Sequence, residues 1–196
     1  MKNKIIFLVV FLFAAVANSF SQQIIKKDIE IDAMVKEIST DSLAQNLNKL
    51  VGFGTRATLS NQSSSTKGIG AARAWILSRF NEYAKSSNGR LSAFIDTTTY
   101  NADKKRVDRP INLANVVATL KGTDPNDKRI FLISGHLDSR RSNEMDSVGD
   151  SPGANDDGSG TVAVMECARV MSKHSFPATI IFVTVSGEEH VLLHLL

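Results

Sequence analysis

Residues 129–139 read RIFLISGHLDS. Ile130 to Ile133 is an unbroken apolar run, as expected for a strand covered on both faces. Its carboxyl end delivers His136 and Asp138. A second run of this kind, ATIIFVTVS (178–186), leads through Gly187 to Glu188-Glu189. Between the two lie a polar loop, 138–152, and a helical pattern over about 156–173 carrying Val162, Met165, Ala168, Val170 and Met171. Buried strands separated by helices predict an α/β fold: a mostly parallel or mixed central sheet with helices on both faces.

Toward the N-terminus, LSAFIDTTTY (91–100) and NVVATLKG (115–122) read as further strands. Ser42 and Gln45 have capping-box spacing, and Leu43, Leu47, Leu50 and Val51 follow at helical spacing. GFGTRATLSNQSSSTKG (52–68) reads as a loop. A helix from about Gly70 to Ala84 places Ala72, Trp75, Ile76, Phe80 and Tyr83 on one side as core. Gly68-x-Gly70 imitates the start of a dinucleotide fingerprint. The third glycine position is Arg73 and no strand precedes it, so the match is chance.

The length of 196 residues fits one domain with an N-terminal extension. Lys2 and Lys4, then apolar Ile5 to Val16, then small Ala17, Ser19 and Ser21 form the pattern of a cleaved secretory signal over residues 1–21. Cleavage after Ser21 fits, with Ser19 as the alternative site; the competing reading is an uncleaved membrane anchor, for which the run is short. Loss of 1–21 removes two lysines and no acid, lowering the net charge from +3 to +1. Neither a basic footprint for nucleic acid nor a polybasic membrane patch remains. The expectation is a secreted or periplasmic protein with no nucleic-acid partner and no stable membrane association after cleavage. Residues 22–40 form a lead-in, with 22–32 polar and loose, and 41–196 the domain. The single Cys167 lies in the apolar helical pattern and reads as core.

Chemistry collects at the carboxyl ends of the buried strands, where open α/β sheets bind ligands. His136 has Asp138 two residues on, and a metal-binding imidazole needs an acceptor on its other nitrogen. SPGANDDGSG (151–160) sets Asn155, Asp156 and Asp157 between glycines at a helix start, more polar groups than a cap requires, so one carboxylate is a candidate bridge between two cations. Glu188 and Glu189, being adjacent, point in different directions. One can bind metal while the other serves as general base. Imidazole with carboxylates suits zinc and similar ions.

As a set, NVVATLKG, ISGHLDS, SPGANDDGSGTVAVMECARVM and TIIFVTVSGEE resemble the M28 family of zinc metallopeptidases; LNKLVGFGTR and GIGAARAWI look like that family's N-terminal helices. The resemblance covers roughly 33–189. It implies a zinc exopeptidase-like fold and an aminopeptidase-like hydrolysis of peptides by water activated between two zinc ions. By resemblance His136 binds one metal and Asp138 orients it. Asp156 bridges both, Glu189 binds the second, Glu188 is the general base, and Asp157 has no ligand role.

The family site needs a further Asp and a further His, both from sequence beyond the double glutamate. Here HVLLHLL (190–196) follows instead. His190 and His194 are four apart, but Leu192 and Leu193 break the His-Glu-x-x-His pattern of single-zinc proteases. Chain ends are usually polar, so an apolar end leads to the expectation of a truncated product whose C-terminal part is missing and which is inactive as written. The alternatives are a non-catalytic fragment or pseudoenzyme with weak metal binding, and a glutaminyl cyclase-like acyltransferase of the same fold. Substrate side chain, amino- against carboxypeptidase action and oligomeric state are not encoded in these motifs.

Overall fold

The computed structural model describes residues 27–103 and 105–191. The stretch 1–21 read as a secretory signal, His194 and the final leucines lie outside the described residues. The chain divides at Ala33/Met34. The segment read as a loose lead-in contains helix α1 (Ile29–Lys36). Asp28 starts it: its carboxylate accepts the amides of Glu30 at 2.8 Å and Ile31 at 3.3 Å. Acids in the first turn and Lys36 in the last complement the helix dipole, a local balance the polarity of the segment conceals.

From Met34 onward, helices α2 (Thr40–Val51) and α3 (Gly68–Ala84) precede strands β1 (Leu91–Tyr100), β2 (Ile111–Leu120) and β3 (Ile130–His136). A single π-type turn (Ala154–Gly158), helix α4 (Ser159–Met171), strand β4 (Thr179–Val185) and the short helix α5 (Glu188–Val191) follow. The N-cap of α2 is Ser39 rather than Ser42: the Ser39 hydroxyl accepts the Ser42 amide at 3.1 Å. The apolar positions of α2 and α3 fall where their spacing puts them. Leu50, Ile69, Ala72, Ile76 and Phe80 are all fully buried. The two glycines at the start of α3 serve packing, since a Cβ on Gly70 would stand 2.2 Å from the Gln62 carbonyl oxygen.

The sheet order is β1-β2-β4-β3, with β1-β2 and β2-β4 antiparallel and β3-β4 parallel, a mixed sheet. One face carries the core. Leu91, Val116, Ala118, Leu120, Ile180 and Phe182 are in register there and meet α2, α3 and α4. The apolar run of β3 departs from its expected covering. Ile130, Phe131 and Leu132 are 63%, 53% and 63% exposed, because β3 is an edge strand paired only with β4. An edge strand keeps its apolar sequence but has no neighbour beyond it among the described residues. Such a neighbour cannot be read from a run of four residues.

β3 and β4 run parallel, so His136 and Val185 end level with one another. This pairing sets the His136 turn and the glutamate turn side by side. Gly187 makes the turn into α5 with φ +94°, a conformation closed to most L-residues, and a Cβ there would meet Leu113 at 2.8 Å.

Candidate metal centre

Three side chains from three turns converge. One donor atom each of His136, Asp156 and Glu189 lie within 4.8 Å of one another. His136 is the last residue of β3, Asp156 sits in the π-type turn before α4, and Glu189 lies in the first turn of α5. His136 Nε2 and an Asp156 carboxylate oxygen are 3.0 Å apart. Glu188 is close too, its carboxylate 3.8 Å from His136 Nε2. The two glutamates diverge: Glu189 is buried, whereas Glu188 keeps about a third of its side chain exposed.

Asp156 can reach the imidazole because the backbone breaks from the helix. Asp156 (φ −115°, ψ 101°) and Asp157 (φ −123°, ψ 44°) leave helical angles. Asp157, given no ligand role from the sequence, is structural. Its carboxylate accepts the Gly160 amide at 2.7 Å, capping α4, and the His136 amide at 3.0 Å. Thr161 Oγ1 donates to the His136 carbonyl at 2.8 Å. The start of α4 is thus tied to the end of β3.

Asp138 is fully buried beside the imidazole. Its orienting contact differs in detail from the expected carboxylate bond. His136 Nδ1 lies 3.1 Å from the Asp138 backbone carbonyl and 3.7 Å from its carboxylate. With Nδ1 donating to the carbonyl, Nε2 is the nitrogen that would face a metal once its proton is lost. The carboxylate has other duties. It accepts Thr58 Oγ1 at 2.5 Å and the Glu189 amide at 3.2 Å, which fixes the glutamate turn against the histidine turn.

The electrostatics are those of an acid-rich site. Burial works against a charged His136. The Asp138 carboxylate, with Glu188 and Asp157 beyond it, outweighs burial and pushes the imidazole up to about 9. Burial and the neighbouring Asp138 also push Glu189 up, against the pull of Arg140. Arg140 Nε lies 2.6 Å from the Glu189 carboxylate, and its other end is 3.0 Å from Glu144. Both candidate carboxylates therefore face positive groups, imidazole and guanidinium. A site whose acids recruit cations from their own chain, with one imidazole and two carboxylates converging, has the donor chemistry of zinc.

His190 does not join this group. It is buried, and its Nε2 lies 2.9 Å from the Glu144 carbonyl. Sequence reasoning passed over Thr58, Arg140 and the fully buried Arg56. Phe53, Ala57 and Leu59, all buried, were the available apolar signal that 52–60 is not a free loop.

The chain is similar to known proteins in sequence and in fold. Residues 115–194 match the model of peptidase family M28. A probable zinc metalloprotease of Leptosphaeria maculans is 46% identical over 163 residues, which are 83% of this chain and 37% of that protein. Among solved structures, a leucine aminopeptidase precursor from Bacteroides thetaiotaomicron matches with TM-score 0.59 at 18% identity, over 77% of this chain and 48% of the other. A glutaminyl cyclase of Tannerella forsythia matches with TM-score 0.56 at 18% identity, over 75% and 46%. At such identities the structures speak for the fold alone. The chain spans little more than a third of the length of its curated relative. Residues 115–194, which carry the converging His136, Asp156 and Glu189, belong to peptidase family M28.

Proposed function

We propose that this chain carries the metal-binding and water-activating part of a secreted zinc exopeptidase of the aminopeptidase kind, acting on peptides. The observation that supports it most directly is the convergence of His136, Asp156 and Glu189 from three separate turns. In this reading His136, Asp156 and Glu189 would hold the zinc, with Asp156 the residue that two ions would share. When bound, the zinc pair polarises the scissile carbonyl and makes an adjoining water more acidic.

The chain's own residues do the rest. Asp138 holds His136 with Nε2 outward. Glu188, partly exposed and close to His136 Nε2, takes the proton of the attacking water and passes it to the leaving amine. Asp157 keeps Asp156 and His136 in mutual register by binding the amides on both sides.

Zinc titration followed by calorimetry, together with amino-acid release from short peptides, tests the reading. Zinc binding that depends on His136 and Glu189 is expected. Glu188→Gln should leave zinc binding intact and lower release by roughly 10²- to 10⁴-fold, the usual worth of a positioned general base. Release that is indifferent to Glu188→Gln rules out this base.

A second reading is metal binding without turnover. It is favoured by the donor count: among the described residues three side chains converge, whereas a catalytic zinc commonly has three protein ligands of its own. Zinc uptake with no release at any zinc level would select it. The peptidase is preferred to a glutaminyl cyclase-like acyltransferase, since the 46% identical relative is a probable zinc metalloprotease and the cyclases share only the fold. Secretion rests on the pattern of residues 1–21. N-terminal sequencing of the exported protein should begin after Ser21 or Ser19.

A further inference from the structure

Arg56 is the largest fully buried side chain of the described residues, and nothing in the proposed chemistry uses it. It comes from the loop 52–68. A buried guanidinium demands partners for every donor, or burial costs far more than packing returns. Here its partners are backbone carbonyls. Nε donates to Leu137 at 2.8 Å, Nη1 to Pro152 at 2.7 Å and to Leu50 at 3.4 Å, and Nη2 to Gly153 at 2.9 Å.

The choice of carbonyls is informative. Leu137 lies between His136 and Asp138. Pro152 and Gly153 lead directly to Asp156. Leu50 is at the end of α2, and its carbonyl also accepts the Phe53 amide at 3.2 Å. The backbone of the same segment repeats the pattern. The Arg56 amide donates to Ser139 Oγ at 3.2 Å, the Ser139 amide to the Arg56 carbonyl at 3.2 Å, and Ser139 Oγ to the Ser151 carbonyl at 2.8 Å. Parallel bridges pair Thr55 with Ser151 and Ala57 with Ser139. Thr58, two residues on, holds Asp138. One strap, 55–58, therefore touches the histidine turn and the aspartate turn together.

Only arginine can do this from one Cα. Its planar fork reaches three separate backbones in fixed directions, whereas lysine is a point donor on a flexible stem. The countercharge is at hand: burial pulls the Arg56 guanidinium down to about 10, and the Asp138 and Asp157 carboxylates work in the other direction. The group keeps its proton at neutral pH.

We propose that Arg56 is the positioning residue of the metal centre: it clamps the His136–Asp138 turn to the Pro152–Asp156 turn, so the ligand geometry stands before any cation arrives. This rests on the metal reading above, but part of its test does not. Hydrogen exchange on the metal-free full chain should show the amides of Ser139, Ser151 and Gly158 protected, with rates that zinc changes little. Fast exchange without zinc and slow exchange with it would mean that the metal sets the turns, and the proposal falls.

Cobalt(II) is the probe for the ligand field. Arg56→Lys should weaken cobalt binding at least tenfold and alter its visible absorption band. Ile76→Ala, a fully buried apolar site on α3 with no polar contact to either turn, serves as a control for general loss of stability and should leave band and affinity unchanged. Equal effects from the two variants, or none from Arg56→Lys, overturn the clamp. If Arg56→Lys does not fold, the exchange pattern of the unaltered chain decides. If the unaltered chain binds no cobalt, the metal reading fails, and the exchange pattern still decides whether the turns are held in advance.

Discussion

At the scale of single residues, the site rests on buried polar groups, Asp138 and Glu189 among them, whose partners lie far away in sequence, while Asp156 stands exposed. Asp138 shows the consequence. One oxygen of this fully buried carboxylate takes both the Thr58 hydroxyl and the Glu189 amide, while the other accepts no hydrogen bond and lies 3.7 Å from His136 Nδ1. Thr58→Val keeps the shape and removes the hydroxyl, so the carboxylate loses its closest donor. A destabilisation of about 1–3 kcal/mol is expected in thermal or denaturant melts, with zinc binding weakened as Asp138 relaxes. Asp138→Asn should lower zinc affinity by about 10- to 100-fold, the typical effect of disturbing the group behind a ligating histidine. Calorimetry on folded variants measures it, and an unchanged affinity would remove Asp138 from the orienting role. His136, Asp138, Asp156, Glu188 and Glu189 were all legible from motif order. Thr58 and Arg56 were not, since the contacts through which they reach the histidine turn span 80 or more residues.

At the scale of elements, helix α4 is held at both ends by charge. Near its start Asp157 caps it. Toward its end Glu166, 3% exposed, pairs with Arg169 at 2.6 Å and accepts the Ser39 amide at 2.7 Å. Burial pushes Glu166 up, but the Arg169 and Ser39 hydrogen bonds outweigh it, and the net shift is downward. A carboxylate lowered by folding stabilises the native state at pH above its unfolded value, near 4.5. That contribution is lost as pH falls through the lower folded value. Glu166→Gln should therefore flatten the acid limb of the stability curve below about pH 4.5, while lowering stability at neutral pH. Melting temperature against pH reads both. Helix and strand identities followed from period, because apolar spacing is local. The cap of α2 at Ser39 and the helix α1 did not, since single side-chain-to-amide bonds decide them.

At the scale of the whole molecule, the sheet has one well-covered face. Phe182 is fully buried at its centre, and Phe182→Ala should cost about 3–5 kcal/mol in denaturant unfolding. The β3 edge is the opposite case. Leu132 is mostly exposed, so Leu132→Lys should change stability by no more than about 0.5 kcal/mol while reducing concentration-dependent association, seen by light scattering. A large loss of stability in that variant would show that the edge is covered in solution.

The sequence by itself determined the α/β class, the order of strands and helices, and the residues that meet at the carboxyl ends of β3 and β4. Apolar periodicity and turn chemistry act over a few residues, and motif order survives in one dimension. Only the tertiary structure decided that β1 and β2 run antiparallel within a mixed sheet, that β3 lies at an edge, and that Arg56 ties two turns together. Strand direction and edge position follow from which strands pair, and the Arg56 tie from which backbone carbonyls come within its reach once they have. That is settled by contacts between residues distant in sequence, and no local pattern records it.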